Sequence, residues 1–83
     1  MERSEILEYL LKEVAQTAEA HRLSQQHFQA ILSDVPSGIP HPDGVQRIEN
    51  ASTECAHARE KLRVSRARLQ LFQAYGFIPK DLK

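Results

Sequence analysis

The sequence predicts an all-α fold: two long antiparallel helices forming a hairpin, which dimerises into a four-helix bundle. Three observations lead there. Prolines and glycines concentrate in one stretch, Pro36-Ser37-Gly38-Ile39-Pro40-His41-Pro42-Asp43-Gly44, the single strong breaker in the chain. Each flank of that stretch runs for about thirty residues rich in Ala, Leu, Glu, Gln, Lys and Arg, which favour helix. Apolar residues on both flanks recur at intervals of three and four, the helical period, with no strand-like alternation.

The first helix is expected over about 4–34. Leu7, Leu10, Leu11, Val14, Ala18, Phe28, Ile31 and Leu32 mark its apolar side, while Glu5, Lys12, Glu19 and Gln26 mark a solvated stripe. Ser4 is the expected N-cap. Pro36 disfavours helical geometry at Val35, so the helix should stop near Asp34. The loop is expected over about 35–43. The second helix then covers about 44–75, with Asp43 as N-cap and Gln46 completing a capping-box-like pair. Ile48, Ala51, Cys55, Ala58, Leu62, Ser65, Leu69 and Phe72 form a seam over about four heptads. Gly76 suits the left-handed position that ends a helix, and Pro79 prevents a restart. The short tail, 76–83, carries Phe77, Ile78 and Leu82, which should fold against the bundle end.

Two helices alone bury a narrow stripe each. Ile6, Val64, Leu71 and Tyr75 fall outside the seams as surplus apolar surface. Burial of a large apolar side chain stabilises by ~1.5–3 kcal/mol, against about 1.5 kcal/mol to order each residue. The expectation is therefore association, first of all as a homodimer, since two-fold dimers are the commonest oligomers. Another helical protein is the second candidate partner. The association positions read from the pattern are Leu7, Leu11, Val14, His21, Phe28, Leu32, Ile48, Cys55, Leu62, Leu69 and Phe72.

Charge supports antiparallel pairing. The chain has eleven basic and eleven acidic residues and a formal net charge of zero. The acids dominate the first helix and the bases dominate the end of the second. A hairpin centred near Ile39 would bring Glu2, Glu8 and Glu13 beside Arg59, Lys61, Arg66 and Arg68. The basic surface Arg59, Lys61, Arg63, Arg66 and Arg68 could contact phosphates. It has no interleaved aromatic residues for base stacking, and the zero net charge argues against a strongly electrostatic partner. Nucleic acid binding is therefore the alternative to a basic row neutralised by the first helix.

His21 and Cys55 lie on the two seams, in stretches poor in large apolar residues. With the loop centred near Ile39 they would meet in a middle layer with Ala18, Gln25, Ala51 and Ala58. Close packing, a register-fixing polar layer, and a metal or small-ligand site are the three readings of that layer. The spacing of His21, His27, Cys55 and His57 matches no ligand motif, so no metal or cofactor is expected. Cys55 among alanines reads as a small buried hydrophobe, and His57 lacks the sequence context of a phosphotransfer histidine. The chain is expected not to be an enzyme. The charged N-terminus lacks a secretory leader pattern, no apolar run could span a membrane, and the single cysteine suits a reducing compartment, so a cytoplasmic protein is expected. The loop from Pro40 to Ile48 and the end Gly76-x-x-Pro79-x-Asp81-Leu82 resemble short bacterial helical proteins of uncharacterised function. That resemblance implies a small helical protein and transfers no activity, ligand or site residue.

Overall fold

The computed structural model describes residues 2–34 and 42–83, leaving aside the side chains of Asp34, Pro42 and Asp43. It contains two long helices packed side by side, α1 (Arg3–Asp34) and α2 (Pro42–Tyr75), and a short 3₁₀ turn, η1 (Lys80–Leu82). The molecule is a rod of 56 × 18 × 16 Å. Of the loop expected over about 35–43, residues 35–41 lie outside the described residues, and 42 and 43 already belong to α2.

Both helices begin earlier than their expected caps. In α1 the Ile6 amide donates to the Glu2 carbonyl at 3.0 Å, so Ser4 lies inside the first turn. In α2 the first helical residue is Pro42, which places Asp43 inside the helix. Proline suits that position because its missing N–H is one of the donors a helix start leaves unpaired. Gln46 turns away from the helix start and donates to Asn50 Oδ1 at 2.9 Å. The end of α2 uses the glycine. Gly76 adopts φ +70° and its amide donates to the Phe72 carbonyl at 2.9 Å, an αL cap.

The helix pairing is read from three cross-helix contacts. Glu13 meets Arg68, Thr17 meets Ser65 and His27 meets Glu54. The two numbers in each pair add to 81 or 82, so the pairing is antiparallel about residue 41, two positions beyond the expected Ile39.

The core has one strong end. Ile6, Leu10, Phe72 and Leu82 form a buried cluster, with Leu7, Leu69 and Ile78 packed against it. This is the end away from the loop, and the tail completes it by folding back. Arg3 stacks its guanidinium over the Phe72 ring at 5.2 Å, a cation–π contact worth about 0.5–1 kcal/mol where exposed. Farther along, small and hydroxyl side chains (Ala51, Ser24, Ser65) alternate with isolated buried Leu62 and Ile31. Ser65 is buried, donates to the Leu62 carbonyl and lies 2.7 Å from Thr17 Oγ1. Ser24 is buried and donates to the His21 carbonyl at 2.7 Å. Each hydroxyl is satisfied within its own turn, so burying it costs little.

Candidate functional site

Every α2 seam position from Ile48 to Phe72 is buried or half-buried. On α1, Leu7, Val14, His21 and Phe28 are half-buried, while Leu11 and Leu32 stand exposed. The innermost line of α1 is instead Ile6, Leu10, Thr17, Ser24 and Ile31. Ile6, taken from the sequence as surplus, is 2 % exposed.

The shifted pairing separates His21 from Cys55. His21 lies beside Ala56, Arg59 and Leu62, whereas Cys55 shares a shallow depression with Gln25, Gln29 and Phe28. Their levels along the rod differ by about five residues, ~8 Å. The expected shared layer of His21 and Cys55 does not form. Among the described residues no three His, Cys, Asp or Glu side chains gather as a metal-holding group. His27 Nδ1 lies 3.3 Å from Glu54 Oε2, an exposed contact between the helices.

The basic residues divide. Arg68 is drawn inward: its Nη2 donates to both oxygens of Asp81, at 3.1 and 2.8 Å, and its buried Nε lies 3.4 Å from Glu13 Oε1 without hydrogen-bond geometry. One guanidinium thus joins α1, α2 and the tail. Arg63 is paired with Glu60 one turn earlier on its own helix. Lys61 lies on the opposite flank, near Thr17, Ala20 and His57. Arg59 and Arg66 have no carboxylate partner among the described residues. Of the expected cross-helix pairs, only Glu13–Arg68 forms among the described residues. Glu2, just before α1, and Glu8, on α1, are exposed and form no ion pair among the described residues.

Hydrogen bonds from Arg68 hold the Asp81 carboxyl below its ordinary value. A carboxyl whose pKa falls on folding adds stability above its unfolded pKa, ~3.9, and loses that contribution as pH drops through the folded value. The stability difference between the parent and Asp81→Asn is therefore expected to be largest near neutrality and to close below about pH 4. Urea titrations at several pH values check this, and a difference independent of pH would contradict it. Arg22 and Arg63 likewise lower the Glu19 and Glu60 carboxyls by hydrogen bonding. Both pairs sit within α1 or α2 and say nothing about partners.

A second surface is apolar. Among the described residues nine large apolar side chains are exposed: Tyr9, Leu11, Leu23, Leu32, Val45, Val64, Leu71, Tyr75 and Phe77. Val64, Leu71 and Tyr75 follow at intervals of seven and four along one side of α2. The Phe77 amide reaches the Leu71 carbonyl at 3.3 Å, which places Phe77 beside this row. Tyr75 is 81 % exposed. Neither described helix is long and apolar enough to cross a membrane.

Compared with known proteins, the chain matches no family model, no curated protein and no solved structure. The resemblance of its loop and end to short bacterial helical proteins is therefore supported only by the two-helix architecture.

Proposed function

We propose that this chain acts without catalysis, as a helical hairpin that associates with a second copy of itself to form a four-helix bundle. The observation that carries this reading is an imbalance. Nine large apolar side chains are exposed among the described residues, against a buried apolar set of seven that includes an alanine. Single exposed hydrophobics are ordinary, but a contiguous group marks an interaction surface. Leu71 and Tyr75, one turn apart, with Phe77 beside Leu71, make such a group at the open end of the rod, Val64 extends their line two turns back, and Tyr9 lies at the same level on α1. A two-fold axis beside this row would set it against itself, as isologous contacts require.

Sedimentation equilibrium tests the reading. The parent should run at twice its chain mass of 9.5 kDa. The double variant Val64→Gln, Leu71→Gln should keep its helical circular dichroism, because both side chains are exposed. It should dissociate at least about tenfold more readily, since each side chain removed from an interface costs ~1.5–3 kcal/mol. A parent that stays at its chain mass at high concentration overturns the reading.

A further inference from the structure

We propose that the flank of α2 carrying Arg59, Arg63 and Arg66 binds the phosphate backbone of a single-stranded nucleic acid, without sequence preference. At 100° per residue these three arginines fall within an arc of about 60° on one side of α2. Gln70 continues the row one turn farther on. Together with His21 of α1 and Glu60, they line one open depression along the rod.

Three features of this flank favour a polyanion. The first helix does not neutralise it: Glu13 is engaged by Arg68, and among the described residues Arg59 and Arg66 have no carboxylate partner. Glu60, the one acid in the depression, is already tied to Arg63. The row also runs straight, from Arg59 to Gln70 over eleven residues or ~16 Å, which matches a linear chain of charges better than a compact anion. Its side chains are long donors: guanidinium groups suit phosphate oxygens, and the Gln70 amide adds a neutral donor.

A bilayer fits less well. The apolar residues in the depression are Ala56, Leu62 and Ala67, of which Leu62 is buried, so nothing large stands ready to insert into lipid. The exposed row of Val64, Leu71 and Tyr75 faces about 120° away around α2. Self-association and strand binding therefore use different faces, and either can hold without the other. No exposed aromatic side chain lines the depression, so base stacking contributes nothing and recognition is electrostatic.

Neutralising two to three phosphates gives log K a slope of about −1.4 to −2.1 against log salt for a single strand. Fluorescence anisotropy with a labelled mixed-sequence 20-nucleotide RNA tests this on the full chain. Affinity should fall about 7- to 20-fold between 50 and 200 mM salt. Arg59→Ala with Arg66→Ala should bind at least about tenfold more weakly at 50 mM and show a flatter salt dependence, with helicity unchanged. Lys61→Ala, on the opposite flank, should bind as the parent does. No binding at 50 mM salt, binding that salt does not weaken, or a double variant indistinguishable from the parent would each overturn the proposal. So would binding to phosphatidylserine vesicles with none to the RNA.

Discussion

Replacing Phe72 with alanine is expected to lower stability by ~3–5 kcal/mol, the cost of truncating a buried aromatic ring. At about 0.05–0.15 kcal/mol per residue, a chain of this length has only ~4–12 kcal/mol in all. The substitution should therefore remove a large share of it. Phe72 is 3 % exposed, and the buried cluster around it has only three other members, Ile6, Leu10 and Leu82. Those three come from the start of α1 and the end of the tail. Losing the ring thus opens contacts to both partners of α2 at once, and it removes the platform on which Arg3 stacks. The rest of the interface holds only Leu62 and Ile31 as large buried apolar residues, set among the hydroxyls of Thr17, Ser24 and Ser65, which contribute close approach and little apolar area. Urea unfolding followed by helical circular dichroism checks this. Gln73→Ala, one residue away and exposed, should stay within about 0.5 kcal/mol of the parent. Similar midpoints for the two variants would mean that the open end does not dominate stability.

The contrast between α1 and α2 shows what periodicity reveals and what it conceals. On α2 the inward line is legible because Ser65 can be read as a small member of an otherwise apolar seam. On α1 the inward line runs through Leu10, Thr17, Ser24 and Ile31 at intervals of seven, and two of those four are hydroxyl residues. A search for apolar residues steps sideways to Leu7, Val14, His21 and Phe28, a column three or four residues off and so about 50° round the helix. The buried column becomes visible only when Thr and Ser are counted as small core residues whose hydroxyls bond to the preceding turn. Thr17 does this, accepting no water-facing role: its Oγ1 donates within reach of the Glu13 and Val14 carbonyls at 3.0 and 3.1 Å. Opposite it, Ser65 bonds to Leu62.

The same shift explains the altered ionic pairing. Taking the midpoint of the proline-rich stretch as the midpoint of the hairpin sets His21 against Cys55 and several glutamates against the arginines. The observed pairing lies two residues farther along, in the register that brings Leu10 to the level of Phe72 within the open-end cluster. Moving one helix by a few residues turns most charged side chains to different neighbours. Antiparallel direction is a coarse property that survives such a shift, and the identity of ion pairs does not. The unneutralised row at Arg59 and Arg66 follows from this difference.

Leu82→Ala is expected to produce the second large loss, ~2–5 kcal/mol for a buried leucine. Leu82 is 6 % exposed. The tail reaches that position through the left-handed Gly76, the buried Pro79 and the turn in which the Leu82 amide donates to the Pro79 carbonyl at 3.0 Å. Beyond Ile78 and the buried Pro79, which anchor the approach, two attachments hold η1 itself: the Leu82 side chain in the cluster and the Asp81 carboxylate on Arg68. They sit on adjacent residues of one short turn, so neither can form well once the other has released the backbone. Residues that share a network in this way lose stability non-additively. Asp81→Asn should therefore destabilise the parent near neutral pH yet have almost no effect in the Leu82→Ala background. A cycle of four proteins, unfolded in urea at pH 7, measures this. Strictly additive losses would show two independent anchors. Non-additive losses, with the acid dependence of the Asp81 contribution also gone in the Leu82→Ala background, identify a tail that docks as one unit and completes a core the two helices leave open.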